Sequence, residues 1–211
     1  MTKRLIIVGF GGFGRETLAW ARAVEAGQSE WKIAGVLDPD PRVVAERGCD
    51  LPYLGHHETY QPREQDLFAL AIGDPRLRKE AADALCARQG RLASVIHPSV
   101  IMGHNVQIGE GAIVCPGAVL TCDIRAGRLL LCNVGASVGH DVVIGECCSL
   151  YAHADVTGHA VLGDFVTLGS HAVVLPWVKV GQGSTIGAGS VAVANVPASI
   201  ALLGVPGRKL H

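Results

Sequence analysis

The sequence predicts an α/β half-Rossmann domain followed by an all-β parallel β-helix. Up to about residue 92, apolar strand patterns alternate with amphipathic helical patterns, as in a small parallel sheet covered by helices. After that residue, aliphatic side chains recur at every sixth position, a period that neither an α-helix nor an open sheet has. We therefore expect domains at 1–92 and 93–196 and a C-terminal tail at 197–211.

Composition and charge narrow the classes of function. The 211 residues are 49% hydrophobic and 18% charged, with a formal net charge of −1. This balance gives no electrostatic reason to expect a nucleic acid or a membrane surface as partner. The seven cysteines are odd in number and form no C-x-x-C pair, so neither a disulfide framework nor a zinc ribbon is indicated. We expect a cytoplasmic chain with no signal peptide and no membrane insertion.

The first 92 residues predict a short βαβ-type parallel sheet. Strands are expected at 4–9, 32–38 and 67–73, and helices at 14–27 and 74–90. In the last helix, Asp74 can act as the N-cap, Pro75 takes the first helical position, and Gly90 is expected to end the helix.

A glycine-rich turn follows the first strand. Gly9, Gly11 and Gly14 have G-x-G-x-x-G spacing, which is typical of a strand-turn-helix unit that binds a phosphate. Asp38 ends the second strand, where it could meet a ribose hydroxyl. A complete dinucleotide fold needs two βαβαβ halves, and only one is predicted here. The turn therefore favours a nucleotide or phosphate group over a complete nicotinamide site.

The six-residue repeat predicts a triangular coil of three short strands. Every sixth residue from Ile96 to Ile186 gives sixteen positions, of which fourteen are aliphatic or Met. Glycine directly follows this anchor position in nine repeats, and we expect these glycines to supply unusual dihedral angles at the corners. They are residues 103, 109, 127, 139, 145, 163, 169, 181 and 187.

An 18-residue coil places residues 18 apart above one another. One corner then carries the column His104, Cys122, His140, Gly158 and Pro176, and beside it Asn105, Asp123, Asp141, His159 and Trp177. Another corner stacks His153 over His171. Asp141 can raise the basicity of His140, and Gly158 can offer a bare backbone N–H to an oxyanion. A general base and an oxyanion donor are the parts needed for acyl transfer.

The strings NVGASVGHDVVIGE (133–146) and GVPGRKL (204–210), with the N-terminal glycine loop, resemble a known family. They are similar to the hexapeptide-repeat sugar acetyltransferases of the bacterial pilin-glycosylation and perosamine type, related to the sialic-acid O-acetyltransferases. The resemblance implies a left-handed β-helix and transfer of an acetyl group from acetyl-CoA to an amine or hydroxyl of a nucleotide-linked sugar. It also implies a homotrimer with sites between adjacent β-helices, and no metal.

The resemblance also assigns roles to residues. It implies His140 as base, Asp141 as its acidic partner, Gly158 as oxyanion donor and Asn133 as a characteristic asparagine. It implies acetyl-CoA contacts at Ser149, Gly158, Ser170 and Ala188. It implies nucleotide-sugar contacts at Gly11, Gly12, Phe13, Asp38, Pro39, Ile72 and Gly73. Two positions depart from the family: Ser149 and Phe13 each stand where it has a histidine.

Two alternatives remain open at this stage. The chain could be a nucleotide- or NAD-binding module whose β-helix serves only to form trimers. It could also be a metal β-helix protein like the trimeric carbonic anhydrases, which use β-helix histidines. No H-x-x-x-x-H spacing occurs, and His153 and His159, the closest pair within the predicted β-helix, fall on different corners of the 18-residue coil.

Overall fold

The computed structural model describes residues 2–27, 29–46 and 48–210. The chain divides into two compact units. One comprises Met1–Pro98 with Glu110–Ile113, and the other Ser99–Gly109 with Val114–His211. No helix of the described residues is long and apolar enough to cross a membrane.

The first unit contains a four-stranded parallel sheet with helices between its strands. Its strands have the order β2-β1-β3-β4. The two central strands are buried along nearly their whole length, which explains their continuous apolar sequences. The elements are β1 (Lys3–Val8), α1 (Gly12–Ala26), β2 (Trp31–Leu37), α2 (Pro41–Glu46), β3 (Asp66–Leu70), α3 (Pro75–Cys86) and β4 (Arg91–Leu92).

The third helix begins as the sequence predicts and ends earlier. The Asp74 carboxylate accepts hydrogen bonds from the backbone N–H groups of Arg76 and Leu77, so the predicted N-cap is confirmed. The prediction that Gly90 ends the helix is wrong, because the helix ends at Cys86. Gln89 takes the left-handed conformation, with φ of 63°, and the Gly90 N–H then closes the turn on the Leu85 carbonyl.

The remaining strands are short, and as far as β21 they follow one another at intervals of about six residues. They are β5 (Val95–Ile96), β6 (Ile101–Met102), β7 (Val106–Ile108), β8 (Ile113–Val114), β9 (Val119–Leu120), β10 (Ile124–Ala126), β11 (Leu131–Cys132), β12 (Ser137–Val138), β13 (Val143–Ile144), β14 (Ser149–Leu150), β15 (Asp155–Val156), β16 (Val161–Leu162), β17 (Thr167–Leu168), β18 (Val173–Val174), β19 (Lys179–Val180), β20 (Thr185–Ile186), β21 (Val191–Ala192), β22 (Ala201–Leu203) and β23 (Arg208–Lys209).

These strands form the three faces of a parallel β-helix, as predicted. The first face contains β6, β9, β12, β15, β18 and β21, and the second contains β7, β10, β13, β16 and β19. The third face runs through β11, β14, β17, β20 and β22. Neighbouring strands pair 18 residues apart, as between Ser137 and Asp155 or between Val143 and Val161, except that β20 pairs with β22 at a separation of 16 residues. The predicted vertical columns of residues therefore exist in the structure.

Left-handed residues bend the chain at the corners. From Asn105 to Gly189, each corner has a residue with φ between 52° and 75° at the second position of its turn. These residues are Asn105, Gly111, Gly117, Asp123, Leu129, Gly135, Asp141, Cys147, His153, His159, Phe165, His171, Trp177, Gly183 and Gly189. Ten of the fifteen are not glycine, so the surrounding coils hold side chains in a conformation that they rarely adopt alone.

The prediction for the glycines after the anchor positions is wrong. None of the nine has a left-handed φ. They are glycines because the next coil passes too close for a side chain. A Cβ at Gly127 would lie 2.8 Å from the Glu146 backbone nitrogen, and one at Gly163 would lie 2.7 Å from that of Gln182.

The interior of the β-helix is filled mainly by apolar side chains. Its anchor side chains include Leu120, Val138, Val156 and Val174, all with no exposed surface. Cys132 belongs to the same interior, and burial raises the pKa of its thiol to about 12. A thiol with that pKa stays protonated at neutral pH, so Cys132 is a packing residue and not a nucleophile.

The two kinds of turn glycine predict different responses to substitution. Gly127→Ala should destabilise the protein by about 1–3 kcal/mol, because the new methyl group meets backbone atoms that have no rotamer to change. Gly117→Asn should cost less than about 1 kcal/mol, because asparagine tolerates the left-handed region. A Cβ at Gly117 has no neighbour closer than 4.0 Å. Denaturant midpoints of the two variants measure the difference, and equal destabilisation would contradict this reading of the corners.

Candidate active site

One corner of the β-helix gathers a histidine, a carboxylate and a glycine. This first corner joins the first and second faces, and on one coil it carries His140 and Asp141. The two side chains pair with 2.8 Å between His140 Nδ1 and an Asp141 carboxylate oxygen. Both stay accessible, with 56% and 48% of their side-chain surface exposed. Nδ1 thus faces the carboxylate, and Nε2 is the nitrogen left to act on a substrate.

Gly158 lies on the next coil, directly against the His140 ring. A Cβ at this position would lie 2.7 Å from both Cε1 and Nε2 of His140, so only glycine leaves room for the imidazole. Across residues 2–27, 29–46 and 48–210, no acceptor is in hydrogen-bonding position for the Gly158 N–H. A donor without a partner therefore lies beside the free nitrogen of the histidine.

The first corner continues into two aromatic side chains that the sequence analysis placed in a column without giving them a role. The ring of His159 meets that of His140 edge-on, with 5.0 Å between centroids. Its other face stacks on Trp177 at 3.8 Å and an interplanar angle of 9°. His159 Nε2 lies 3.7 Å from the carboxylate oxygen of Asp141 that His140 also contacts. Asp141 thus lies between two imidazoles.

The structure brings together only some of the residues predicted for catalysis and acetyl-CoA. Asn133, Ser170 and Ala188 lie on the second corner, between the third and first faces, and not beside His140. Asn133 turns its side-chain oxygen back to accept from the Val134 N–H. Ser149 belongs to strand β14 and has no exposed surface, so its hydroxyl is not accessible from outside the chain.

A cavity of about 410 Å³ lies in the first unit at the carboxyl ends of the sheet strands. Four of the seven predicted nucleotide-sugar residues line it: Gly11, Asp38, Pro39 and Ile72. Gly12, Phe13 and Gly73 are not among the lining residues. Gly12 and Phe13 belong to the first turn of α1, and the Gly73 carbonyl accepts a hydrogen bond from the buried Arg78.

The glycine loop is held in place by Asp38. One carboxylate oxygen of Asp38 accepts from the Phe10 N–H at 2.7 Å, and the other accepts from the Asp40 N–H at 2.9 Å. Gly11, the N-cap of α1, provides no side-chain cap. A Cβ at Gly11 or Gly12 would meet nothing within 4 Å. The first turn of α1 therefore presents backbone N–H groups to open space, where an anion would be stabilised.

The sequence analysis missed the loop that forms another side of this cavity. His56, His57 and Glu58 line it, and the two imidazoles stack at 4.6 Å. His57 Nδ1 is buried and finds no hydrogen-bond partner among the described residues. Burial, and secondarily the neighbouring His56, lowers the pKa of His57. The adjacent pair in HHE was the only signal in the sequence, and it lies outside any strand or helix pattern.

The metal alternative depended on which histidines lie close together. Sequence spacing directed attention to His153 and His159, which do lie on different corners. The two histidines that lie close to one carboxylate are His140 and His159, on neighbouring coils of one corner. One potential ligand atom from each of these two and from Asp141 lies within 4.8 Å of the others.

Comparisons with known proteins agree with the two-part architecture. Residues 4–85 match the family described as the PglD N-terminal domain, and residues 159–192 match the bacterial transferase hexapeptide family. The UDP-N-acetylbacillosamine N-acetyltransferase of Bacillus subtilis is 30% identical over 115 residues, which are 53% of this chain and 51% of that protein. The match thus spans about half the length of the curated relative.

Solved structures match over the whole chain. PerB from Caulobacter crescentus, described in complex with CoA and GDP-perosamine, has a TM-score of 0.88 and 28% identity, covering 100% of this chain and 99% of that one. WeeI from Acinetobacter baumannii has a TM-score of 0.87 and 25% identity, covering 99% and 100%. The chain is thus similar to N-acetyltransferases that act on acetylbacillosamine and perosamine. The resemblance drawn from the sequence strings is confirmed.

The histidine at the cavity of the first unit provides a testable prediction. Because burial lowers its pKa, His57 should titrate below its ordinary value of 6.5. The unfolded chain then binds this proton more strongly, so the free energy of unfolding should fall as the pH drops below about 6.5. Histidine NMR resonances, assigned with His57→Gln, measure the titration. The same variant should show a weaker loss of stability at low pH, and titration of His57 at or above 6.5 would contradict the prediction.

Proposed function

We propose that the protein transfers an acetyl group from acetyl-CoA to an amine or hydroxyl of a nucleotide-linked sugar, with His140 as general base. The observation that carries this proposal is the arrangement of the first corner. His140 Nδ1 is 2.8 Å from the Asp141 carboxylate, and its Nε2 edge lies against Gly158 with an unpaired N–H. Base, orienting carboxylate and oxyanion donor are the groups that acyl transfer requires.

The chemistry follows from the tautomer that Asp141 favours. With its proton on Nδ1 and donated to Asp141, His140 keeps a lone pair on Nε2. Nε2 removes a proton from the acceptor amine or hydroxyl as that atom attacks the thioester carbonyl carbon. The carbonyl becomes an oxyanion, which the Gly158 N–H stabilises. The oxyanion then collapses, the C–S bond breaks, and CoA leaves as a thiolate that can take the proton from the imidazolium.

The nucleotide part of the acceptor is assigned to the first unit. The cavity lined by Gly11, Asp38, Pro39 and Ile72 has the size of a small-molecule site, and the unpaired N–H groups of α1 suit a diphosphate. Asp38 keeps lone pairs for a ribose hydroxyl after its two backbone contacts. Gly12, Phe13 and Gly73 would contact the parts of the ligand that extend beyond the cavity. These proposed contacts support an acceptor that is bound through its nucleotide and reacts at its sugar.

A homotrimer would complete the site. Asn133, Ser170 and Ala188 lie on the second corner, away from His140, yet the family resemblance assigns all four to one reaction. Adjacent β-helices packed side by side can place the second corner of one chain against the first corner of its neighbour. Acetyl-CoA would then lie between two chains, with Gly158 from one and Ser170 and Ala188 from the other. Ser149, being buried, would act only through its backbone or through packing.

The named relatives support this substrate class. The Caulobacter crescentus structure holds CoA and a GDP-linked sugar, and the curated relative is named for acetyl transfer to a UDP-linked sugar. Nucleoside diphosphate sugars with a free amine or hydroxyl are therefore the acceptors to test first. A panel with different bases and sugars, incubated with acetyl-CoA, can be followed by release of free thiol. Mass and NMR analysis of the product distinguishes N- from O-acetylation, and hydrolysis of acetyl-CoA without any acetylated sugar would overturn the proposal.

Removing the base should abolish most of the turnover. His140→Ala should lower the rate of acetyl transfer about a hundredfold or more, the loss expected for a general base. Affinity for CoA should change little, because the imidazole acts on the acceptor. His104→Ala is a matched control, since His104 occupies the same exposed position two coils away. Steady-state rates and CoA titration calorimetry measure the effect, and near-wild-type turnover of His140→Ala would sink the assignment.

A charge at the start of α1 should repel the nucleotide without harming the fold. Gly11→Asp places a carboxylate where the phosphates are proposed to lie, and aspartate is also a favourable N-cap. We expect at least about tenfold weaker binding of nucleoside diphosphates, with an unchanged or higher melting temperature. Gly11→Ser is the neutral control, because it caps the same helix without the charge. Equal affinity of the two variants would place the phosphates elsewhere.

A further inference from the structure

His140, Asp141 and His159 form a set of metal-ligand atoms that acetyl transfer does not require. The proposed mechanism uses His140 and Asp141 and leaves His159 without a role. Yet potential ligand atoms of all three residues lie within 4.8 Å of one another. Two imidazoles and one carboxylate are a common donor set for divalent transition metals, which bind such sites with open positions for water.

The separations of these atoms are close to those around a bound metal. Zn²⁺ binds imidazole nitrogen and carboxylate oxygen at about 2.0–2.2 Å, so neighbouring ligand atoms in a tetrahedron are roughly 3.3 Å apart. His140 Nδ1 and His159 Nε2 lie 2.8 and 3.7 Å from the same oxygen of Asp141, on either side of that value. Small rotations of partly exposed side chains suffice to reach coordination geometry.

The second histidine is held in place for this role. Its ring stacks on Trp177 at 3.8 Å, and its backbone N–H donates to the His140 carbonyl at 2.9 Å. Asp141 and His159 also occupy successive coils of one column, with φ of 59° and 60°. The three ligands are therefore fixed by neighbouring coils of the β-helix and do not depend on a flexible loop.

We propose that His140, Asp141 and His159 bind a divalent transition-metal cation such as Zn²⁺, and that the bound metal inhibits the base. A neutral imidazole has one nitrogen with a lone pair and one with a proton. When Nδ1 of His140 gives its lone pair to the metal, the proton moves to Nε2, and the ring charge does not change. Nε2 can then no longer accept a proton from an acceptor sugar. The binding stands on its own, whereas the inhibition rests on the proposed function.

Metal binding is tested on the full chain without any activity assay. Protein freed of metal with a chelator is titrated with Zn²⁺ by calorimetry and with Co²⁺ by absorption, in a non-thiol reductant. We expect one ion per chain, and at least about a hundredfold weaker binding by His159→Asn, which removes a direct ligand. His171→Asn is the matched control, because His171 is also left-handed, at φ of 58°, and stacked on an aromatic ring.

Two results would overturn the site. One is an unchanged affinity in His159→Asn, and the other is a thiolate-to-cobalt charge-transfer band, which would assign the ion to a cysteine. Cys122 is the cysteine to test, since it is partly exposed and occupies the same column as His140, one coil earlier. Cys122→Ser should therefore leave the stoichiometry and affinity unchanged.

Inhibition is then measured on an acceptor sugar that the enzyme turns over. The Zn²⁺ concentration that gives half-inhibition should be near the dissociation constant of the metal. His159→Asn should raise the half-inhibition concentration and the dissociation constant by the same factor, whatever the rate of the variant without zinc. Product should be read by mass spectrometry at low conversion, because the thiol of released CoA itself binds zinc. Zinc that binds without inhibiting, or that accelerates transfer, would overturn the inhibitory role and leave the acetyltransferase proposal standing. Failure to find any acceptor would leave the binding result intact.

Discussion

The parallel hydrogen bonds between residues 18 apart are the constraint on which the β-helix depends. They fix each coil over the last, so a residue on one coil has a defined neighbour on the next. The candidate site is a direct product of this register. Gly158 lies against His140 because it is 18 residues further along, and His159 stands in the same relation to Asp141. A shift of one residue in the pairing between coils would separate His140, Asp141, Gly158 and His159, since successive side chains in a strand point to opposite faces.

The tight coil also explains where glycine is required. At Gly127 and Gly163 the next coil passes within 2.8 Å of any Cβ, so sterics between backbones exclude a side chain. At the left-handed positions the constraint is conformational, and side chains such as Asp141 and His159 are accepted there. The left-handed turn is what carries functional groups outward at a corner. Asp141 and His159 therefore occupy strained positions, which the hydrogen bonds between coils stabilise.

The sequence predicted most of the fold because its period is strict. The six-residue repeat gives an 18-residue coil, and the coil length gives the residues that stack on one another. The adjacency of His140, Asp141 and Gly158 could therefore be predicted by counting residues. Counting also placed Asp141, His159 and Trp177 in one column, but it could not give the orientation of the rings that brings His159 Nε2 to 3.7 Å from Asp141 and stacks the ring on Trp177. It also could not find His56 and His57, because they lie in a loop with no period.

The two errors, at Gly90 and at the anchor glycines, share one cause. Glycine was assigned to dihedral freedom where close backbone approach was the reason.

Asp141 connects the two proposals for the first corner. A carboxylate that accepts from Nδ1 holds a histidine in the tautomer that a general base needs. The same oxygen, 3.7 Å from a second imidazole, is equally suited to share a cation between two nitrogens. Which species occupies that space, a proton on Nδ1 or a metal ion, decides whether Nε2 is a base. In the two proposals taken together, His140 and Asp141 alone would give the corner one state, and His159, stacked on Trp177, would give it a second.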